Sequence, residues 1–541
     1  MSLTELMQID LDQLDFSNKK SIQVMVSHLL NLLESLYKET VTLKQENQKL
    51  KDEINRLKGQ KGQPEFKPKT TVPKDTGTKE KQKQKKGQKQ TKVDKITIDD
   101  SQVIKYEGPL PADAEHKGYR DVPIQGLTIK TNNILYRLER YYSASEGKIY
   151  EASLPDGIRG GYDASIASWI LFWYFHSRMS QQKIHQMLSD IGIQISAGHI
   201  SNIIIKDNDD FYQEKSAIIK AGLESSDYQH IDDTGARVNG TNQYFSVLCN
   251  DYYSAFFTNP KKDRLTIIAI LSQIEEIPCL LNQYAIAFLQ DRNLTSSLLK
   301  SLKQLSHKDA MPLEAFTKQL ELLLPDLKPK QRTMILEAAL IAGYQESNSS
   351  CQIQRLVCDD AKQFWYITLL RALCWIHEER HYAKLTPLLA YHQQLVADFR
   401  ARIWQYYAEL KQYKQHPNEQ DKIRLSGLFD EIFSTETGYD ELDERIRLTK
   451  AKKENLLVVL DYPDTPLHNN PAELALRMYV IKRKISFGTR TEQGTKSWET
   501  FFTILDTCRK LGVNFRDYLY DRISKQYNMP SLASLIKQAA T

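Results

Sequence analysis

Three carboxylates stand where chemistry can be built. Asp232 follows the apolar start of "YQHIDDTGARV", Asp359 ends the run "QRLVCD", and Glu473 falls four residues after Asn469 in "HNNPAELALR". Carboxylates converging from separate elements suit a pair of magnesium ions ~3.5–4 Å apart, an arrangement used in phosphodiester displacement. Magnesium takes hard oxygen ligands and keeps several waters, so three carboxylates suffice; manganese is the expected substitute. Each residue also fits a plain structural role. Asp232 and Asp233 can end a strand, and Asp359 and Asp360 can cap a helix. Asn470 reads as an N-cap with Pro471 at the first helical position, and Glu473 suits the positive end of the helix dipole. Residue type and spacing permit the triad without selecting it.

The elements that must position these residues can be read from pattern. "YQHIDDTGARV" (228–238) is a strand, Asn239-Gly240 a hairpin turn, and 243–250 and 252–259 two further strands. "RLTIIAILSQI" reads as a helix, 354–361 as a buried strand ending in acids, and "FWYITLLRALCWIHEERHY" as one helix. Three antiparallel strands, a helix, a fourth strand and late helices fit an α/β ribonuclease H-like mixed sheet, in which the first and fourth strands are neighbours. The core then comes in three parts, 227–274, 351–383 and 461–525. Large helical insertions at 275–350 and 384–460 separate them, and a short tail, 526–541, follows. Ahead of the core, 161–226 is helical and helix-turn-helix-like, with "SQQKIHQMLSD" and a helix from about Ala197 flanking a Gly-containing turn.

The N-terminal part is organised differently. Ile22, Leu29, Leu36, Leu43, Leu50 and Leu57 recur every seven residues, with Val26, Leu33, Thr40, Asn47 and Ile54 completing an a/d seam. Residues 1–58 are therefore expected to form a dimeric coiled coil, and an ordinary amphipathic helix packed on its own chain is the alternative. Residues 59–96 lack large apolar side chains and read as a disordered linker. From Lys58 to Lys95 the chain holds thirteen lysines against four acids, on a sequence of net charge +5. A basic tether on a near-neutral body suits a polyanion. Residues 97–160 are mixed, with strand-like pieces at "VIKYEG" and "LTIKTN". No run of 18 apolar residues and no signal peptide is evident, and the six cysteines include no CxxC pair. A reduced, cytoplasmic, nucleoid-associated protein without a membrane partner is the simplest expectation.

From Tyr228 to Leu519 four ordered motifs, "HIDDTGARVNG", "LVCDDAKQF…ALCWIHEERHY", "HNNPAELALRMYVIKRKISFGTRTEQGTKSW" and "TCRKLGVNFRDYL", resemble the insertion-sequence-66 family of transposases. The resemblance implies a DDE-type enzyme whose carboxylates fall on Asp232, Asp359 and Glu473, with Asp360 as the neighbour to be told apart from Asp359. It implies hydrolysis at transposon ends and strand transfer into target DNA by a homodimer or higher oligomer, with accessory proteins. The alternatives are a metal-dependent DNA nuclease that cuts without joining and a catalytically degenerate dimeric DNA-binding relative. Asn470, Arg477, Arg483 and Lys484 would meet DNA, and Asp233, Asp360, His468 and Asn469 would surround the site. Two motifs depart from the family: Asp233 stands for a glutamate, and His468 for an aspartate ahead of Asn469-Asn470. No cysteine precedes Cys249, so the family's cysteine-rich module is absent or degenerate, with 97–150 as its remnant. Zinc is not expected, and Cys374 and His377 read as packing residues of their helix.

Overall fold

The computed structural model describes residues 19–57, 98–105, 108–109, 114, 119–125, 127, 129–273, 278–305, 310–346 and 352–541. The linker expected at 59–96, with the whole lysine-rich stretch from 58 to 95, lies outside them, as do residues 106 and 107 of "VIKYEG". The chain divides into two compact units, one of 1–41, 136–190 and 194–541, the other of 42–135 and 191–193.

In chain order, helix α1 (Lys19–Leu57) comes first, and a hairpin, β1 (Arg140–Ser143) and β2 (Lys148–Glu151), follows. Next stand α2 (Ala164–Leu171), continued by a π-turn at Phe172–His176, α3 (Gln181–Asp190), α4 (Ala197–Ile205) and α5 (Asp209–Glu224). The sheet then begins with β3 (Tyr228–Val238), β4 (Thr241–Cys249) and β5 (Ser254–Asn259), followed by α6 (Arg264–Ser272). A helical block, α7 (Gln283–Asp291), α8 (Ser296–Leu302), α9 (Leu313–Leu323) and α10 (Pro329–Glu346), precedes β6 (Arg355–Cys358), β7 (Leu370–Leu373) and α11 (Trp375–Ala383). A second block holds α12 (Ala390–Tyr413), α13 (Glu419–Ile432), α14 (Asp440–Lys450), α15 (Lys453–Leu456) and α16 (Val458–Asp461). Last come α17 (Asn470–Ser486), α18 (Glu492–Lys510), α19 (Phe515–Ile523) and α20 (Leu532–Ala540).

The five-stranded sheet runs β5-β4-β3-β6-β7, with β3, β4 and β5 antiparallel and β6 and β7 parallel to β3. This mixed α/β sheet agrees with a ribonuclease H-like arrangement. The β3–β4 hairpin turns at Asn239 (φ 47°) and Gly240 (φ 76°), the left-handed pair that a two-residue turn matching strand twist requires. The first four residues of β3 are buried and the next three half-buried, as befits a central strand covered on both faces at one end. On one face α17 and α18 pack through Tyr479 and Phe502. Tyr479 stacks on Phe245 at 3.6 Å, and Phe256 meets Phe502 at 6.0 Å. A second core, around Trp375, Tyr406, Phe429 and Phe433, joins α11 to α12, α13 and the residues that lead into α17.

Several elements differ from the sequence reading. "FWYITLLRALCWIHEERHY" is not one helix: Lys362–Phe364 form a short 3-10 turn, Leu370–Leu373 are β7, and α11 begins only at Trp375. "LRAL" has helix-forming side chains, yet pairing with β6 (Arg355↔Leu370 to Cys358↔Leu373) overrides that local preference. The described parts of "VIKYEG" and "LTIKTN" contain no strand, and the hairpin of this region is β1–β2 instead. The third strand starts at Ser254, two residues later than read, because Asn250 turns the chain by accepting from the Tyr252 N–H at 2.9 Å. The 526–541 segment is no loose tail: α20 buries Leu532 and Ile536 fully.

Candidate active site

Asp232 lies in β3, opposite Val247 of β4. β6 pairs with β3 from Tyr228 to His230, so Asp359, one residue past β6, emerges on the neighbouring parallel strand. β6 stops there because the Asp359 carboxylate accepts the Ala361 N–H at 3.1 Å and turns the chain. The two aspartates that the sequence places far apart are thus carried by adjacent strands.

Asp360 goes elsewhere. Its carboxylate is paired with Arg371 at 3.2 Å and Lys452 at 2.7 Å. Lys452 also reaches the buried Glu378 at 3.1 Å. Asp360 is therefore a bracing residue between β7, α11 and the second helical block, which separates it from Asp359. Asp233 is held by Gln363 Nε2 at 2.9 Å and Lys262 Nζ at 3.4 Å. Neither partner was identified from sequence, since a lone lysine or glutamine in a loop carries no pattern.

Glu473 occupies the first turn of α17. The turn is built differently from the sequence reading. Asn469 rather than Asn470 stands at the N-cap, and its side chain makes no capping bond. It is fully buried and crosses to β3 instead: its Nδ2 donates to the Ile231 carbonyl at 2.8 Å, and its Oδ1 accepts from His230 Nδ1 at 2.9 Å. The Asn469 N–H meets Cys374 Sγ at 3.2 Å. A side chain recruited into a buried network cannot also cap its own helix. The residue before Asp232 is thereby tied to the start of the helix that carries Glu473. Arg355 secures the approach to that helix, with two bonds to Asp464 at 2.6 and 2.7 Å and one to Thr465 at 2.7 Å.

The Glu473 carboxylate meets Arg380 Nη2 at 3.3 Å and His377 Nε2 at 3.6 Å, both on α11. Neither contact was foreseen, although His377 and Arg380 stand one turn apart and so share a helix face. His468 is half-buried, and its Nδ1 has no hydrogen-bond partner; burial holds its pKa below the ordinary value.

The electrostatics follow from this crowding. Burial first, then the negative charges of Asp359, Asp233 and Glu473, raise the Asp232 carboxyl from 3.8 to about 7, against the lowering effect of the Asp233 N–H at 2.8 Å. A carboxylate disfavoured by burial and by neighbouring negative charge fits a hard divalent cation, which would stabilise its ionised form. Among the described residues Asp232, Asp359 and Glu473 do not themselves form a closed group of three donors. His230 is pushed down to about 4, chiefly by burial, so it is neutral and donates through Nδ1 to Asn469.

Along α17, Arg477 and Lys484 are exposed and recur at spacings that place them on the face of Glu473. Asn470 is exposed beside them, while Arg483 is half-buried, 5.9 Å from the Tyr479 ring. Lys482, which the sequence did not single out, is buried under the Tyr174 ring and donates to the Met179 carbonyl at 2.7 Å.

Residues 159–281 and 344–497 match the sequence model of the family described as transposase IS66 family. The unmatched interval between them holds α7, α8, α9 and most of α10. The chain is also 32% identical over 306 residues to an uncharacterised protein, y4jO, of Sinorhizobium fredii, an alignment covering 57% of this chain and 94% of the relative. With both matched segments spanning the strands and the helix that carry Asp232, Asp359 and Glu473, this chain belongs to the IS66 family of transposases.

Proposed function

We propose that this transposase-family protein hydrolyses phosphodiesters at transposon ends and transfers the freed strand into target DNA, with Asp232, Asp359 and Glu473 as the metal-holding carboxylates. The observation that carries the reading is geometric: Asp232 and Asp359 lie on adjacent parallel strands, and Asn469 ties the helix turn of Glu473 to the residue before Asp232. The ion these residues would hold is magnesium, or manganese in its place, supplying charge neutralisation and Lewis-acid polarisation of the phosphoryl oxygens. Asp232 gives up its proton to serve in this way. Asn469 keeps the Glu473 turn on β3, and Arg380 neutralises Glu473 until the site fills. Arg477 and Lys484 receive backbone phosphates beside Glu473, with Asn470 at the helix start and Arg483 flanking them.

Two further parts belong to the same reading. α3 and α4 bury Ile184, Leu188, Ile200 and Ile204 and leave their other faces free, as a helix-turn-helix reader of transposon ends requires. α1 presents Val26, Leu29, Leu33, Leu36, Leu43 and Leu50 at 41–64% exposure, while its Asn31 and Glu34 are buried on the second helical block. An exposed heptad seam on a helix already anchored by its other face suits pairing with a second copy.

The test is incubation of the full chain with DNA carrying the flanking ends of its own element, in magnesium or manganese. End-specific cleavage and a joined product are expected. Asp232→Asn, Asp359→Asn and Glu473→Gln should each lower cleavage at least about a hundredfold, equivalent to ~3 kcal/mol. Cleavage without joining would reduce the protein to a nuclease. DNA binding without either product would make it a degenerate relative.

A further inference from the structure

Glu473 belongs to a second donor set, of another chemical kind. α11 starts at Trp375 with Cys374 at its N-cap, and His377 stands one turn further on. The i, i+3 spacing puts sulfur and imidazole on one face. Cys374, His377 and Glu473 each offer a ligand atom, and these atoms lie within 4.8 Å of one another. The Cys374 side chain is buried, and its sulfur receives the backbone N–H of Asn469 together with those of Ile376 and His377. Burial raises the Cys374 thiol above its ordinary pKa and the converging amides only oppose that rise, so a metal bound here would displace the thiol proton. His377 Nδ1 is closed off from solvent and has no hydrogen-bond partner. His377 Nε2 faces Glu473 Oε1 at 3.6 Å and Arg380 Nη1 at 3.2 Å. Magnesium avoids sulfur and imidazole, whereas zinc takes thiolate, imidazole and carboxylate with one position left open.

We propose that Cys374, His377 and Glu473 form a site for a zinc-class transition-metal ion, and that filling it withdraws Glu473 from Asp232 and Asp359 and so inhibits the magnesium-dependent reaction. The inhibition rests on the reading of Glu473 as the third carboxylate; the metal site stands on its donor set. Sequence alone offered only Cys374 and His377, two ligands and too few. The fold adds the third from a residue 96 positions after His377 in the chain. Arg380 now holds Glu473, and at 46% side-chain exposure it can release the carboxylate to solvent. A dication then replaces a guanidinium as the neutralising charge. Zinc and magnesium thus compete for one carboxylate, through different companion ligands.

Cobalt(II) titration of the full chain tests the site without relying on activity. One equivalent should give a sulfur-to-cobalt charge-transfer band with four-coordinate visible bands, both displaced by zinc. Cys374→Ser should remove the sulfur band, and His377→Ala should weaken binding at least about tenfold. Asp232→Asn and Asp359→Asn should retain both features. If Cys374→Ser does not fold, His377→Ala, at a partly exposed position, reads the same loss. Absence of a sulfur band in the unaltered chain, or its survival in Cys374→Ser, overturns the site. For the inhibition, each protein's cleavage is compared with its own zinc-free rate. Zinc should suppress the unaltered chain at least about tenfold more strongly than Cys374→Ser or His377→Ala. Equal suppression overturns the competition while the spectra still carry the site. A chain that shows the cobalt spectrum yet cleaves no DNA supports the site and sinks the catalytic reading, together with the inhibition.

Discussion

At Asp232 the sign of the pH effect follows from its position. Its native pKa, about 7, lies above its ordinary 3.8, so between those values the native state binds more protons than the unfolded chain. Stability of the metal-free protein should therefore fall as pH rises from about 4 to about 7 and then level off. Asp232→Asn should remove that slope and raise stability at pH 8 by about 1–2 kcal/mol, after discounting for solvent access. Urea melts at pH 5 and pH 8 check this; an unchanged slope in the variant would contradict it. Magnesium should bind more tightly as pH rises through about 7, because the cation must displace that proton. The neighbouring pair Asp359 and Asp360 separates two kinds of loss. Asp360→Asn removes partners of Arg371 and Lys452 and should cost about 1–3 kcal/mol in stability, with manganese affinity retained. Asp359→Asn should show the reverse, and calorimetric titration of both variants distinguishes them.

At the scale of elements, one buried asparagine connects the central strand to the helix that carries the glutamate. Asn469→Ala removes its bonds to the Ile231 carbonyl and to the buried His230 Nδ1, and should cost about 2–3 kcal/mol in urea-melt stability. Cleavage should fall more than DNA affinity, because the first turn of α17 loses its register on β3 while Arg477 and Lys484 remain. Equal losses of rate and affinity would argue against this positioning role. The first helical block is tied in by a comparable bond. Buried Arg264 of α6 pairs with Glu337 of α10 and donates to the Trp365 and Lys362 carbonyls at 2.9 and 2.7 Å. Those carbonyls belong to the loop that follows Asp359, so the added helices brace a stretch of the candidate site.

For the molecule as a whole, α1 combines a polar face and an apolar one. Glu34 is buried against His392 at 2.7 Å and accepts the Leu388 N–H at 3.0 Å, with the Tyr439 ring stacked on His392. Leu36→Glu together with Leu43→Glu should therefore convert a dimer to a monomer in sedimentation equilibrium with little change in unfolding midpoint. Glu34→Ala should do the opposite, lowering the midpoint. If the double seam variant remains dimeric, pairing does not run through this helix.

Much of this was legible in the sequence because it is local. The β3–β4 hairpin is specified by Asn239-Gly240 between alternating strands, and the heptad of α1 by its own period. Burial of the run before Asp359 follows from three consecutive residues that favour the interior, Leu356, Val357 and Cys358. β7, in contrast, consists of residues that favour a helix, and only an open edge of β6 makes them a strand. Asn470 looked like the cap because capping is judged from neighbours, while the buried contacts of Asn469 come from β3, more than two hundred residues earlier. The difference between Asp359 and Asp360 is likewise decided by Arg371 and Lys452, which no spacing rule connects to them. Residue types and periodicities determined which carboxylates and which strands were available. Which of them face one another depended on long-range pairing, because burial and charge act through space and not along the chain.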